Sequence, residues 1–248
     1  MYVDNPNLEK PEDESATIYR YMDFIKLLSL IDKKTLFFTR VDKFNDPFEG
    51  SFSKANVELR PKYFKGIMPP NEIKTLSQFY KTFVKLTVVN CWHLSDYRMA
   101  TMWQTYLRSN NGVAIRSTFG KLRNSLEYTE YKVYIGKVKY ISYKSDLIPE
   151  GPLFPYFHKR RQFEDEKELR AVIQDFARKK NGEINWSKSP FNIGLYVPVC
   201  LDTLIDRVYL APRCHQWQVE LVKSVMRKYG VNKEVVKSSL YDTGKIVY

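Results

Sequence analysis

Apolar side chains recur every three to four residues in several stretches of the chain, a spacing that places them on one face of a helix. Phe24, Leu27, Leu28 and Ile31 follow this spacing behind Asp23, a residue type that commonly caps helix N-termini. The pattern also predicts helices that start at Asn71, start at Ser95 or Asp96 and end near Asn110, and span residues 215–229. Their apolar faces are predicted to be Ile73, Leu76, Tyr80, Phe83 and Val84; Met99, Met102, Trp103 and Tyr106; and Val222, Val225, Met226 and Tyr229.

Short runs rich in β-branched and aromatic residues lie between these helices and indicate strands. They are residues 18–21, 35–41, 86–93, 113–117, 131–143, 168–174 and 191–199, followed by a helical turn and a strand within 201–212. Residues 51–70 are predicted to be irregular, and residues 158–166 to form a short helix. Because helices and strands do not alternate as regular βαβ units, the predicted fold class is α+β, with a central mixed or antiparallel sheet flanked by helices.

Composition supports one globular domain. The chain has 248 residues, of which 44% are hydrophobic and 15% aromatic, enough for a substantial core and unlike a disordered protein. Residues 1–16 are predicted to be a loose lead-in to a domain over residues 17–248. Three cysteines do not suggest a disulfide framework, and no run approaches the roughly 18 apolar residues of a membrane span. The N-terminus does not resemble a signal peptide, so a cytoplasmic location without membrane partners is expected.

Charge is unevenly distributed. The net charge is +12, yet the first 50 residues hold 7 Lys and Arg against 10 Asp and Glu, so the remainder carries +15. A basic surface of that size favours phosphate-bearing partners such as a nucleotide or nucleic acid. A lysine-rich surface that only maintains solubility is an equally good interpretation.

Several standard catalytic signatures are missing, which removes whole classes of function. The sequence has no GxGxxG, no GxxxxGK[ST], no GxSxG and no HExxH pattern. Cys91 with His93, and Cys214 with His215, fit no standard zinc spacing, so no metal ligands are predicted there.

One predicted strand carries charged residues of both signs at every second position. If residues 166–173 are extended, Glu166, Glu168 and Arg170 share a face opposite the core. Two neighbouring carboxylates raise the pKa of one partner, while an arginine keeps the other ionised. Glu168 and Glu166 are therefore candidate catalytic residues and Arg170 a candidate substrate-binding residue, against the simpler interpretation of a solvated strand face.

Further candidates combine cations with aromatic rings. Arg20 lies on a predicted strand, where its guanidinium is suited to phosphate and the ring of Tyr21 to stacking. Trp92 and His93 stand at the end of a strand and are candidate substrate-binding residues. Lys159 belongs to a cationic run that is suited to steering a polyanion.

The stretch "FNDPFEG" over residues 44–50 has the composition of a turn, with aromatic residues to hold it against the core. Asn45, Asp46 and Glu49 are the candidate substrate-binding residues of this loop. We expect them to converge on one cleft with Arg20, Glu166, Glu168 and Arg170.

Several segments together resemble a known family. They are "IYRY", "TLFFTRVDKFNDPFEG", "VNCWHLSDYRMATMWQTYL", "HKRRQFEDEKELRAVI" and a C-terminal "KSSL". Over residues 17–241 the chain resembles a bacterial and phage-associated group known as domain of unknown function 2971. Members of this group often accompany defence genes, so the resemblance implies a defence or toxin context.

A more distant similarity is to ADP-ribosyltransferases, in which an Arg-bearing strand, a helix and a late Glu-x-Glu occur in this order. The resemblance implies NAD as substrate, Arg20 on its phosphates, Glu168 on the nicotinamide ribose and Glu166 orienting the acceptor. Tyr21 or Trp92 would stack on nicotinamide. The sequence lacks the Ser-Thr-Ser strand of that family.

Two alternatives to an NAD-using enzyme stay open. One is a nucleic-acid-binding protein or a nuclease whose Asp46, Glu49, Glu166 and Glu168 hold Mg²⁺. The other is a non-catalytic module that binds a partner protein.

Overall fold

The computed structural model of the protein describes residues 1–97, 100–106 and 112–241. The α-helices are α1 (Phe24–Lys33), α2 (Lys54–Tyr63), α3 (Pro70–Phe83), α4 (Ala100–Tyr106), α5 (Phe119–Ser125), α6 (Leu201–Leu204) and α7 (Gln216–Lys228). The strands are β1 (Thr17–Asp23), β2 (Thr35–Arg40), β3 (Thr87–Leu94), β4 (Gly112–Thr118), β5 (Tyr134–Lys137), β6 (Lys139–Ile141), β7 (His158–Arg160), β8 (Glu168–Gln174), β9 (Gly194–Pro198), β10 (Arg207–Leu210) and β11 (Glu234–Lys237). Short 3₁₀ turns occupy Val41–Lys43, Phe154–Phe157 and Arg161–Glu166.

A mixed, mostly antiparallel sheet forms the centre of a single domain, which confirms the predicted α+β class. Its strand order is β11-β10-β4-β1-β3-β2-β9, and β8 and then β5 are added beside β3. Within this sheet the β10–β11 pair is parallel, while β6 and β7 form a separate parallel pair.

The sheet splits beside β3. One edge of β3 pairs with β8 along its length, from Thr87 to His93. The other edge pairs with β2 only at Val88 and Val89, and with β1 only at His93 and Leu94. Residues 90–92 of β3 therefore face a gap between β1 and β2, and such a gap in a sheet can admit a ligand.

The main core lies on the face of the sheet that α1, α5 and α7 cover. Leu27 of α1, Leu122 of α5 and Met226 of α7 pack there against strand residues such as Ile18 and Leu169. Burying each of these side chains stabilises the fold by about 1.5–3 kcal/mol. The other face carries two smaller clusters, and the gap lies next to them.

Several predicted elements are confirmed. Asp23 caps α1 by accepting a hydrogen bond from the backbone N–H of Lys26 (2.8 Å). β8 has the predicted bounds, and the helical turn followed by a strand is found as α6 and β10. Met99, Asn110 and the side chain of Tyr106, which the sequence assigned to the α4 helix, lie outside the described residues.

The prediction that residues 51–70 are irregular is wrong, because α2 lies there. Ser53 caps this helix by accepting from the backbone N–H of Asn56 (3.1 Å). The buried residues of α2 are Asn56 and Arg60, and Pro61 stands inside the helix. A helix whose buried positions are polar gives no apolar period, so the pattern in the sequence could not reveal it.

Residues 1–16 are packed on the domain and are not the loose lead-in that the sequence predicts. The N-terminal ammonium of Met1 donates to the carbonyl oxygen of Thr129 (2.6 Å), and Leu8 is buried in a core cluster. Ion pairs join Glu9 to Lys137 and Glu14 to Arg123. Apart from the burial of Leu8, these contacts are made by charges and by the backbone, so the polar composition of the segment concealed them.

The short helix predicted over residues 158–166 is also wrong. The segment forms β7 followed by a 3₁₀ turn. None of the described helices has both the length and the apolar character needed to cross a membrane.

Candidate active site

A cavity of about 930 Å³ opens at the gap between β1 and β2. All of the candidate site residues line it, namely Arg20, Tyr21, Asn45, Asp46, Glu49, Trp92, His93, Lys159, Glu166, Glu168 and Arg170. The sequence therefore located the residues that meet at one place, while the roles assigned to them stay predictions. Elements far apart in the chain converge here because β3 sits between β1 and β8 in the sheet.

Arg20 bridges the gap in the sheet. Its Nη1 donates to the carbonyl oxygen of Cys91 (2.8 Å), and Nη2 lies 3.5 Å from the carbonyl oxygen of Phe37. The amide of Asn90 donates to the same Phe37 oxygen (2.9 Å). Side chains thus satisfy backbone groups that a neighbouring strand satisfies elsewhere in the sheet. This places a cation at the wall of the cavity.

A row of side chains crosses three strands beside Arg20. Tyr19 of β1 is opposite His93 of β3, which is opposite Glu168 of β8. His93 Nδ1 donates to the carbonyl oxygen of Glu166 (2.7 Å), so its proton is on Nδ1 and Nε2 is an acceptor. Burial lowers the pKa of His93, and Nε2 has no hydrogen-bond partner among the described residues. A neutral His93 can therefore accept a hydrogen bond from a bound hydroxyl group.

Arg170 organises the acidic part of the cavity. Its Nε and Nη2 donate to the two carboxylate oxygens of Glu168 (2.8 and 3.1 Å). Its Nη1 and Nη2 donate to the two oxygens of Glu49 (2.7 and 2.8 Å), and Nη1 also donates to the carbonyl oxygen of Tyr156 (2.9 Å). The residue is only 1% exposed. Each edge of this guanidinium therefore holds one carboxylate, a strong and geometrically specific arrangement.

Lys159 links the two carboxyl groups of the Glu-x-Glu pair. Its Nζ donates to Glu168 Oε1 (2.7 Å) and to Glu166 Oε2 (2.6 Å). The sequence predicted Lys159 to steer a polyanion, but its ammonium is buried between the carboxylates. Alternation along β7 explains this position, because Lys159 points away from the side taken by His158 and Arg160.

The two carboxyl groups differ in acidity. Burial alone would raise the pKa of Glu168, but the charge and hydrogen bonds of Arg170, together with Lys159, hold that pKa well below its usual range. Burial, and then the hydrogen bond and charge of Glu168, raise the pKa of Glu166 to about 7 against the effect of Lys159. Glu49 and Glu168 already balance Arg170 and Lys159, so an ionised Glu166 adds an uncompensated negative charge. The site thus contains one ionised carboxylate and one carboxyl group that titrates near neutral pH.

The predicted strand position of Glu166 is wrong. Glu166 ends a 3₁₀ turn, and Lys167 follows it in a left-handed conformation with φ of 38°. The interpretation of a solvated strand face is also wrong, because Glu168 and Arg170 are buried. The left-handed residue turns the chain so that Glu166 reaches the cavity from outside the sheet.

The loop over residues 44–50 supplies the carboxylate that completes the Arg170 pair. Asp46 accepts from the backbone N–H of Phe48 (3.1 Å) and pairs with Arg160 (2.9 Å). Gly50 has a φ of 73°, and a Cβ atom there would lie 2.5 Å from Cε1 of Tyr156. Glu49 lies between Asp46 and Gly50, whose contacts fix both ends of its segment. Asn45 is exposed at the cavity rim.

The positions of the aromatic side chains around the cavity differ from those expected from the sequence. Trp92 is buried in the main core, and its Nε1 donates to Asn90 Oδ1 (2.7 Å), so it is not available for the predicted stacking. Tyr21 packs edge-on against Trp103, with ring centroids 5.0 Å apart. The structure instead brings Phe163 to the cavity, where Lys159 Nζ lies 4.7 Å from the centre of its ring.

The cavity is also lined by residues that were not among the candidates, including Phe37, Arg160, Phe163 and Tyr196. Phe37 and Tyr196 pair across β2 and β9 with ring centroids 4.9 Å apart. The cationic run at residues 159–161 was the only signal that could have pointed to Arg160.

Metal binding has no support among the described residues. They contain no group of three or more His, Cys, Asp or Glu side chains placed to hold a metal ion. Cys91, Cys200 and Cys214 are free thiols, and burial raises the pKa of Cys91. The Mg²⁺ site predicted for a nuclease does not fit, because Arg170 and Lys159 already engage the oxygens of Glu49 and Glu168.

No family model and no curated protein matches the chain, so the resemblance to domain of unknown function 2971 stays a prediction. Among solved structures, the chain is similar to Thermus sp. 2.9 DarT in complex with NAD+, with 8% identity and a TM-score of 0.42, over 91% of this chain and 96% of that chain. It is also similar to the same DarT in complex with ADP-ribosylated ssDNA, with 10% identity and a TM-score of 0.41, over 93% and 98% of the two chains. Values this low neither assign the chain to a family nor transfer a residue's role.

Proposed function

We propose that the protein is an ADP-ribosyltransferase-like enzyme that cleaves NAD at the nicotinamide ribose and transfers ADP-ribose to an acceptor or to water. One observation carries the proposal. A single cavity contains the Arg20 cation at the sheet gap and a carboxyl pair of which one member stays ionised and the other titrates near neutral pH.

The cavity suits a dinucleotide in size and charge. Its volume of about 930 Å³ lies within the roughly 300–1,000 Å³ of typical small-molecule sites. Arg20, whose Nη1 and Nη2 donate to backbone carbonyl oxygens, contributes a positive charge at the cavity wall that favours a pyrophosphate. The Nε2 acceptor of His93 is suited to a ribose hydroxyl, and Phe163 offers a ring face next to the carboxyl pair.

The two carboxyl groups have separate tasks in this reaction. When the bond between the ribose C1′ and nicotinamide breaks, nicotinamide leaves with the bonding electrons and positive charge develops on the ribose. Ionised Glu168, fixed by Arg170 and Lys159, stabilises that charge. The acceptor oxygen or nitrogen then bonds to C1′, and its proton passes to Glu166, whose pKa of about 7 suits a general base.

The test is release of nicotinamide from NAD by the purified protein, measured with and without protein, DNA and RNA acceptors. Glu168→Gln is expected to reduce release about 10²–10⁴-fold, since an electrostatic and a hydrogen-bonding role are lost together. Glu166→Gln is expected to reduce transfer to an acceptor more than it reduces NAD binding. The matched control is Glu164→Gln, an exposed acid of the same 3₁₀ turn, which should leave activity unchanged.

Two results would count against the proposal. One is the absence of nicotinamide release and label transfer with every acceptor class. The other is a Glu168→Gln variant that retains full activity while folded, a result that would favour the non-catalytic binding module.

A further inference from the structure

The cations that line the cavity at the sheet gap differ in how far their donor groups are already used. Both Nη atoms of Arg20 are directed at backbone carbonyl oxygens, at 2.8 and 3.5 Å. Arg170 holds a carboxylate on each edge, and the ammonium of Lys159 lies between Glu166 and Glu168. These three cations therefore contribute charge to the cavity, while the protein itself engages their donors.

Arg160, which also lines this cavity, keeps a donor group in reserve. One edge of its guanidinium pairs with Asp46, Nε with Oδ2 at 3.2 Å and Nη2 with Oδ1 at 2.9 Å. Nη1 donates to none of the described residues and is not buried, and the side chain is 31% exposed. Nη1 of Arg170, by contrast, donates to the Glu49 carboxylate. Arg160 therefore has the donor that a ligand in the cavity can use.

Two aromatic rings hold the guanidinium of Arg160 in place. Its Cζ atom lies 4.7 Å from the centre of the Phe48 ring and 5.3 Å from the centre of the Phe163 ring. Rings against the face of a guanidinium limit its movement and leave its edges to acceptors. The ammonium of Lys159, which donates to Glu168, lies 4.7 Å from the centre of the same Phe163 ring. Arg160 and the carboxyl pair are therefore neighbours in the cavity.

We propose that Arg160, rather than Arg20, donates the hydrogen bonds that hold a phosphate group of the ligand in this cavity. A phosphate offers two oxygens to an arginine edge, and Asp46 on the other edge fixes the orientation of the guanidinium. The favoured source is the pyrophosphate of NAD, because the 5′-phosphate of a ribose is one sugar ring away from the C1′ atom that Glu168 faces in the proposed reaction. In that respect the assignment rests on the proposed function. The other source is the phosphate of a nucleic-acid acceptor.

The experiment is titration of the full-length protein by isothermal calorimetry with ADP-ribose, with adenosine as a probe that lacks phosphate, and with a short single-stranded oligonucleotide. Arg160→Met is expected to weaken ADP-ribose binding about 10–100-fold, because charge-assisted hydrogen bonds to the phosphate are lost. Adenosine binding should stay within about twofold. Arg160→Lys keeps the charge but loses the forked geometry, so its affinity for ADP-ribose should lie between those of wild type and Arg160→Met. Arg161→Met is the matched control and should bind all three probes within about twofold of wild type, since Arg161 is 65% exposed and lies outside the cavity lining.

The outcomes separate the two phosphate sources. Weaker binding of ADP-ribose by Arg160→Met assigns the phosphate to NAD, and weaker binding of the oligonucleotide alone assigns it to the acceptor. The proposal is overturned if neither ligand binds, if Arg160→Met binds both as well as wild type, or if that variant loses adenosine to the same extent as ADP-ribose.

Nicotinamide release from NAD is measured on the same variants, so that this proposal and the proposed function can fail separately. An affinity for ADP-ribose that depends on Arg160, without any nicotinamide release, would leave the phosphate site standing and refute the proposed function. Nicotinamide release by Arg160→Met with an unchanged KM for NAD and unchanged ADP-ribose and oligonucleotide binding would do the reverse.

Discussion

Arg170 and Arg60 are buried to a similar degree, yet their guanidinium groups are satisfied in different ways. Arg170 holds Glu168 on one edge and Glu49 on the other. Arg60 holds Glu150 by a single bond and a hydroxyl on its outer edge. The first arrangement is complete within the chain and fixes the carboxyl groups of the cavity at the sheet gap. The second leaves Nη2 of Arg60 and Oε2 of Glu150 buried without a hydrogen-bond partner among the described residues.

The largest expected effect is the loss of stability when Arg170 or Arg60 is replaced by methionine. Arg170→Met leaves Glu49 and Glu168 buried together and should reduce the free energy of unfolding by about 3–5 kcal/mol. Arg60→Met, the matched variant, should cost about 1–3 kcal/mol, since the partly buried Glu150 and the hydroxyl of Ser77 each lose one hydrogen bond. Urea unfolding monitored by circular dichroism measures both. Equal losses would contradict the contrast between the two arginines.

The pH dependence of stability tests the uncompensated third carboxyl group. Because the folded pKa of Glu166 is about 7 and its usual value is 4.5, the folded state binds the proton more tightly than the unfolded state. Its contribution to stability is full below about pH 4.5 and is lost as pH rises toward 7, by on the order of 2–3 kcal/mol. Glu166→Gln lacks this loss, so its stability relative to wild type should increase between pH 5 and 8. Unfolding at a series of pH values measures the difference, and a constant difference would exclude the raised pKa.

A smaller effect separates two glycines with the same backbone conformation. Gly50 and Gly66 have φ values of 73° and 76°, but only Gly50 has an obstacle, the ring of Tyr156, where a Cβ would lie. Gly66→Ala should cost about 1 kcal/mol from backbone strain alone. Gly50→Ala should cost about 2 kcal/mol more, because the loop that carries Glu49 must move. Thermal unfolding of both variants checks this, and equal costs would show that Tyr156 does not hold the loop.

The smallest expected effect lies at the rim of the Arg170 network. Asp46 pairs with Arg160, whose side chain is 31% exposed, so Asp46→Asn should cost about 0.5–1 kcal/mol. Asp146→Asn, at the more exposed pair with Arg161, is the control and should cost less. Salt should reduce the first effect only slightly, which chemical unfolding at two ionic strengths can measure.

The sequence predicted those parts of the fold in which burial and apolarity coincide. Leu27 and Ile31 of α1 and Leu169, Ala171 and Ile173 of β8 follow this rule, although β8 also buries Glu168 and Arg170 on its other face. α2 does not, because Asn56 and Arg60 are its buried residues, and a pattern of apolar positions cannot indicate a helix held by hydrogen bonds. Arg60 was missed for the same reason.

The candidate residues converged as expected because their chemistry gave independent signals, namely a Glu-x-Glu pair, an arginine on a strand and a loop rich in turn residues. Their detailed roles could not follow from the sequence. The burial of Lys159 between Glu166 and Glu168 depends on β7 lying next to the 3₁₀ turn, a contact between short elements with no apolar signature. Trp92 is not available for the expected stacking because its side chain lies on the face of β3 that packs in the main core.

The gap beside β3 separates two parts of the central sheet, one that contains β1 and β4 and one that contains β2 and β9. β2 and β9 are attached to β3 through only two register pairs, at Val88 and Val89, whereas β1 is paired with β4 over seven residues. At the gap, Nη2 of Arg20 lies 3.5 Å from the carbonyl oxygen of Phe37 in β2, and the amide of Asn90 in β3 donates to the same oxygen. Next to the cavity, two side chains therefore join β2 to β1 and β3, in addition to the backbone pairs at Val88 and Val89.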